Sequence, residues 1–164
     1  MSALWSRRPS ADEHPPYYTC YLDRVQVGKP PAGFGRQLAE TLSLLDGITE
    51  EQSLARYAPG KWSIKEVVQH VNDAERIFAY RALRFARHDA TVLPGFEEND
   101  YVPASEADRR SMQDLWEEHH TIRRSTLHLF TSFTEGMLER TGTAGGNSIS
   151  VLSLGWVIAG HAEH

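Results

Sequence analysis

The sequence predicts an all-α protein, a four-helix bundle preceded by a proline-rich N-terminal arm. Apolar residues recur at three- and four-residue steps in four separate segments, which is the period of an α-helix. No segment alternates apolar and polar residues as a half-buried strand does. The chain has 164 residues, of which 40% are hydrophobic, so it suits a single domain with a substantial core.

The first 31 residues are predicted to form the arm, and residues 32–164 the bundle domain. Five of the eight prolines lie in this first segment, which prevents a long helix and favours an extended chain. Large side chains such as Tyr17, Tyr18 and Leu22 predict that part of the arm packs on the domain.

The first two helices of the bundle are predicted on either side of a turn at Pro59-Gly60. An apolar stripe from Phe34 to Ile48 indicates the first helix. The second helix begins at Ser63, because Ser63 and Glu66 have the spacing of a capping box, and its stripe continues to about Arg87.

The second half of the chain is predicted as two helices and two loops. Residues 90–105 contain a Pro-Gly pair, another proline and several acids and amides, which is typical of a loop. Ser105 is predicted to cap the third helix, and a polar glycine-rich loop follows at 142–148. The last segment, 150–164, carries an apolar face that includes His161.

Charge and composition exclude several classes of protein. The formal charge of −5 argues against a nucleic-acid or anionic-membrane binder, which would carry a basic face. No apolar run approaches the roughly 20 residues of a membrane span, and no secretory signal is present at the N-terminus. Cys20 is the only cysteine, so an internal disulfide is excluded. We therefore expect a soluble, cytoplasmic protein.

Two of the eight histidines face inward on different predicted helices. His70 is one turn from apolar residues of the second helix, and His161 is one turn beyond those of the fourth. Each needs a polar partner in an apolar core, and a shared metal ion satisfies both. His164 follows on roughly the same face, so three imidazoles would complete a catalytic-type site. His119 is the competing candidate, as a spare ligand or as a hydrogen-bond donor to a ligand.

Carboxylates near His70 have two interpretations. Glu66 and Asp73 lie one turn to either side of it, so one of them could orient the imidazole of a metal ligand. Alternatively, Glu66 only completes the capping box and Asp73 is a solvated surface residue.

The segment PGKWSIKEVVQHVNDAERIFAYRALRFARHD (59–89) resembles the signature block of the DinB/YfiT-like superfamily of small helical metalloproteins. In that family a W-S-x-x-E-x-x-x-H-x-x-D-x-E pattern opens the second helix. LPGF (93–96) is similar to the loop that follows, and WVIAGHAEH to the start of an H-x-x-x-H block on the fourth helix. The matching residues of the first block are Trp62, Ser63, Glu66, His70, Asp73 and Glu75.

The resemblance implies a four-helix bundle with a divalent metal ion, zinc or nickel, held by three histidines. His70 and His161 are the first two implied ligands. The third falls at position 165, one residue beyond the sequence, and His164 is the local substitute. Either the chain is a truncated product of a longer protein, which we favour, or the site is completed by His164 or His119.

The resemblance further implies a metal-dependent enzyme acting on a small molecule. We expect a thiol-S-transferase, which joins a low-molecular-weight thiol to an electrophile, or a hydrolase. Asp73 or Glu75 would accept a proton, and the acidic loop and the arm would wall the cavity. The alternative is a non-catalytic metal-binding stress or interaction protein, as a homodimer. Neither interpretation involves nucleic acid or a membrane.

Overall fold

The computed structural model describes residues 7–25 and 47–164. These residues form six α-helices, one two-stranded antiparallel hairpin and short 3₁₀ turns. The predicted first helix of the bundle lies outside the described residues, apart from its last two positions, and so does the boundary at residue 31. The elements are α1 (Thr19–Leu22), α2 (Ile64–Ala86), α3 (Glu98–Ala104), α4 (Met112–Thr131), α5 (Glu135–Leu138), β1 (Thr141–Ala144), β2 (Asn147–Ser150) and α6 (Val151–His161).

Helix α2 begins where the sequence predicts. The Ser63 hydroxyl accepts a hydrogen bond from the Glu66 N–H at 3.1 Å, and the Glu66 carboxylate accepts one from the Ser63 N–H at 2.8 Å. This reciprocal capping box satisfies two backbone donors that no helical carbonyl reaches. The helix then continues for 23 residues to Ala86, one residue short of the predicted end.

The core lies between α2, α4 and α6. All ten residues from Val151 to Gly160 are buried, so α6 is apolar on every side, as expected of a helix enclosed by others. Trp156 of α6, Phe85 of α2 and Phe130 of α4 are each at most 2% exposed and belong to one apolar cluster. This packing places the last turn of α6 against α2.

Two predictions about the segment before α4 are wrong. The predicted loop at 90–105 contains α3, whose N-terminus is capped by the Glu97 carboxylate. The N-cap of α4 is Ser111, whose hydroxyl accepts a hydrogen bond from the Asp114 N–H, and it is not Ser105. Ser105 instead donates to the carbonyl of Val102 and closes the end of α3.

The predicted loop at 142–148 forms most of a β-hairpin, which corrects the expectation of a fold without strands. Gly145 and Gly146 form its two-residue turn, with φ angles of 57° and 78° that suit glycine. Leu93 also pairs with this hairpin through two backbone hydrogen bonds. The strands are only four residues long and mostly small and polar, so they give no alternating pattern.

The N-terminal arm is not extended throughout. Pro16–Tyr18 forms a 3₁₀ turn that leads into α1, and this short helix packs on α6. Tyr18 and Leu22 are buried, as the predicted partial packing requires, whereas Tyr17 is exposed. The approach is close, because a Cβ atom at Gly160 would lie 1.9 Å from the carbonyl oxygen of Tyr21. None of the described helices is both long enough and apolar enough to cross a membrane.

Candidate metal centre

The packing of α6 on α2 brings two of the predicted metal ligands into contact. His70 lies in the second turn of α2, and His161 is the last residue of α6. Their Nε2 atoms are 3.1 Å apart, and their ring centroids are 4.9 Å apart. The two residues that helical spacing predicts on inward faces are therefore in contact and partly buried, although 91 positions separate them in the chain.

Both imidazoles are held in the neutral form. Burial, and then the neighbouring His70, lowers the pKa of His161 to about 4. Burial also lowers the pKa of His70, while the carboxylates of Glu98 and Asp73 act in the opposite direction. At pH 7 one Nε2 therefore carries a proton and the other accepts it. Neutral imidazole is also the form that binds metal ions.

Aromatic side chains enclose the pair. The Trp62 ring lies 4.9 Å from the His70 ring, and the rings of Tyr21 and Phe78 lie 5.2 and 6.3 Å from that of His161. Tyr21 comes from the N-terminal arm and Trp62 precedes the capping box. These rings limit the contact of the pair with water and so account for the lowered pKa values.

The spacing of the pair suits two ligands of a single divalent ion. Two nitrogens at about 2.1 Å from one ion are about 3.1 Å apart when the angle at the ion is near 95°. The third predicted ligand, His164, is exposed, and its ring packs edge-on against Tyr21 at 5.2 Å. Within residues 7–25 and 47–164, no group of three or more His, Cys, Asp or Glu side chains is placed to hold a metal ion.

The two predicted proton acceptors have different surroundings. Glu75 is 2% exposed and forms an ion pair of 2.8 Å with Arg123 of α4, so it is enclosed in the core. Asp73 is half-buried, accepts a hydrogen bond from Gln69 at 2.9 Å, and interacts electrostatically with His70. Burial raises its pKa. Of the two, only Asp73 stays close to the histidine pair.

Glu98 is a candidate that the sequence analysis missed. Its carboxylate, in the first turn of α3, acts electrostatically on both His70 and Tyr21. Asn99, the next residue, lines a cavity beside the pair. The acidic composition of this segment was the available signal, but its proximity to His70 depends on the unpredicted helix α3. Glu66, in contrast, only completes the capping box and pairs with Arg56.

His119 lies apart from the pair, in the wall of the same cavity. It is 5% exposed, and its Nδ1 atom is 2.8 Å from the side-chain oxygen of Asn72. The cavity has a volume of about 780 Å³ and lies between α2, α4 and residues 55–62. Trp62 and Ala162, which adjoin the histidine pair, also line it.

Comparison with known proteins supports the fold and the family. The profile of the DinB superfamily matches residues 34–164. The structure is similar to YfiT from Bacillus subtilis, described as "a probable metal-dependent hydrolase with an unusual four-helix bundle topology", with a TM-score of 0.72 and 12% sequence identity. The match covers 97% of this chain and 87% of that one, and it confirms the predicted four-helix bundle. A search of curated proteins found no match.

Proposed function

Because the chain belongs to the DinB superfamily, we propose that it is a metal-dependent enzyme in which His70 and His161 hold a divalent ion. The observation that carries this proposal is the 3.1 Å approach of two partly buried, neutral imidazole nitrogens from different helices. Placing two neutral histidines among apolar side chains costs free energy, because both imidazoles lose contact with water. A bound ion would offset this cost.

Zinc or nickel is the expected ion. Imidazole nitrogen suits zinc, nickel, copper and iron(II) better than magnesium or calcium, which prefer oxygen. Such an ion supplies a Lewis acid and lowers the pKa of a water or thiol nucleophile towards neutrality. The two histidines would fill two coordination positions of the ion, so its other positions would be open to water or substrate.

We propose hydrolysis or the transfer of a low-molecular-weight thiol as the reaction class. In both, an O–H or S–H group loses its proton as its oxygen or sulfur forms a bond to the electrophilic centre of the substrate. The bond from that centre to the leaving group breaks, and the leaving group takes the electron pair and then a proton. Glu98 or Asp73 accepts the proton of the O–H or S–H group, because these are the carboxylates that act on His70. The description of YfiT supports the hydrolase, and the family resemblance supports the thiol transferase.

The cavity supports a small-molecule substrate. Its volume of about 780 Å³ lies within the range of small-molecule sites. Its walls come from α2, α4 and the segment before α2, and Asn99 of α3 lies at its edge. The enclosed position of His70 beside Trp62 would restrict the access of bulk water to the reacting atoms.

Metal content tests the proposal. The purified protein, dialysed against zinc or nickel and then against buffer, should retain a stoichiometric amount of ion by elemental analysis. His70→Ala and His161→Ala should each lose at least tenfold in affinity, since one of two ligands is removed. His128→Ala is the matched control, because His128 lies at the end of α4, away from the pair. Circular dichroism verifies that each variant is folded.

Equal metal content in the wild type and in His70→Ala would show that the pair is not the site. His164→Ala tests the third implied ligand in the same way. Turnover is then measured with ester substrates and with a thiol plus a chlorinated aromatic or an epoxide, with and without chelator. Metal retention with no turnover in any of these assays would indicate the non-catalytic metal-binding protein instead.

A further inference from the structure

The cavity beside the histidine pair contains a polar atom that the proposed metal site does not use. His119 is 95% enclosed and lies in the cavity wall contributed by α4. Its Nδ1 atom contacts Asn72 of α2, whose amide N–H₂ donates to the carbonyl of Leu115 at 3.2 Å. Asn72 is itself fully buried, so this arrangement is fixed by the packing of α2 on α4.

These contacts determine the tautomer of His119. Since the Asn72 amide nitrogen donates to Leu115, its side-chain oxygen faces the imidazole and can only accept. The Nδ1 atom of His119 must therefore carry the proton, which leaves Nε2 as a hydrogen-bond acceptor. Burial lowers the pKa of His119 to about 4, so the ring is neutral at pH 7 and its Nε2 lone pair is available.

The Nε2 atom has no hydrogen-bond partner among the described residues. The protein does not fully enclose this atom, and His119 lines the cavity, so the atom is reached from the cavity. A ligand donor at this atom replaces a hydrogen bond from water, and the net gain of such an exchange is typically about 0.5–1.5 kcal/mol. A molecule of the same shape without a donor displaces the water and leaves the acceptor without a partner.

The other residues that line the cavity indicate the shape and polarity of the rest of that ligand. Apolar surface comes from Val67, Val71 and the indole rings of Trp62 and Trp116. The two cationic side chains at the cavity are occupied elsewhere. Arg56 pairs with Glu66 and Asp108, and Lys61 lies over the Tyr57 ring at 5.8 Å. The walls therefore favour a neutral, flat, apolar ligand.

We propose that this cavity binds a flat apolar molecule with one O–H or N–H donor, and that the donor bonds to Nε2 of His119. His119 is a specificity-determining residue that selects ligands with a donor over ligands of the same shape without one. That this ligand is the substrate of the histidine pair rests on the proposed function. The binding itself does not, because neither the cavity walls nor His119 involve the metal ligands.

The test compares two probes that differ only in the donor. 2-Naphthol and 2-fluoronaphthalene have the same ring system and substituents of similar size, but only the former donates a hydrogen bond. Equilibrium dialysis with the full chain at pH 7, with chelator present, should give about fivefold to tenfold tighter binding of 2-naphthol. Chelation keeps the result independent of the metal site, so failure of either proposal is distinguishable from failure of the other.

His119→Phe keeps the ring volume and removes the acceptor. It should bind both probes equally, with an affinity close to that of the wild type for 2-fluoronaphthalene. His128→Phe makes the same change outside the cavity and should leave the preference intact. Equal binding of the two probes by the wild type, or an unchanged preference in His119→Phe, would overturn the proposal.

A measurement on the wild type decides the question if His119→Phe does not fold. The imidazole nitrogens of His119 are observed by ¹⁵N NMR, and the Nε2 resonance should shift on addition of 2-naphthol but not of 2-fluoronaphthalene. The Nδ1 resonance should stay that of a protonated nitrogen. A stationary Nε2 resonance at saturating 2-naphthol contradicts the proposed hydrogen bond.

Discussion

Replacing Gly160 with alanine should separate the N-terminal arm from α6. The added Cβ would lie 1.9 Å from the carbonyl oxygen and 2.5 Å from the carbonyl carbon of Tyr21. Both are backbone atoms, so no side-chain rotation relieves the overlap. An ordinary carbon–oxygen contact is above about 3 Å, and α1 must therefore move by more than about 1 Å.

The energetic cost follows from what α1 buries. Tyr18 is 7% exposed and Leu22 is fully buried, and complete burial of such side chains contributes about 1.5–3 kcal/mol each. If α1 separates only partly from α6, its side chains should repack and keep some of these contacts. We therefore expect Gly160→Ala to lower the free energy of unfolding by about 2–4 kcal/mol.

Urea denaturation measures this loss, and Gly136→Ala is the matched control. Gly136 is also in a helix, but a Cβ at Gly136 meets no atom within 4 Å. Alanine there should be neutral or stabilise by up to about 1 kcal/mol. Trypsin cleavage after Arg24 should accelerate only in Gly160→Ala, because α1 is then less tightly held. Equal stability and equal cleavage of the two variants would refute the close packing of the arm.

Two further perturbations test the buried polar groups. Glu75→Gln should lower the free energy of unfolding by about 3 kcal/mol in urea denaturation, since the enclosed charge of Arg123 loses its carboxylate. Glu106→Gln, at an exposed ion pair, should lower the free energy of unfolding by less than about 1 kcal/mol. Equal losses in the two variants would contradict the view that burial makes the Glu75 pair important. The pKa of His119 is about 4 in the folded protein and 6.5 without burial, so the unfolded state binds more protons between these values and stability falls as the pH decreases. From pH 7 to pH 5 the free energy of unfolding of the wild type should fall by about 2 kcal/mol more than that of His119→Phe. Parallel curves of stability against pH for the two proteins would contradict the lowered pKa of His119.

The sequence predicted features that depend on neighbours within one or two turns. The capping box of Ser63 and Glu66 is such a feature, because its two hydrogen bonds form within four residues. The inward positions of His70 and His161 follow from helical spacing alone, and the family resemblance identified them as partners. Their 3.1 Å contact then depends only on α2 and α6 packing side by side.

Features that depend on distant segments were missed. The hairpin has no alternating pattern, because its core contacts fall on Ala144 and Ile149 alone among small polar residues. Helix α3 contains Pro103 near its end, which local rules interpret as a loop. The roles of Tyr21 and Glu98 follow from where the arm and α3 pack, and no local signal in either segment fixes that position.

The position of the candidate site follows from how α6 is buried. Every residue of α6 before His161 is enclosed, and His161 is the first one that is partly exposed. A polar side chain at this point is enclosed enough to remain neutral, and it adjoins Ala162, which lines the cavity. The proposed ion would need the lone pairs of both Nε2 atoms, one of which carries a proton in the pair. Holding the ion would therefore require that ring to move its proton to Nδ1.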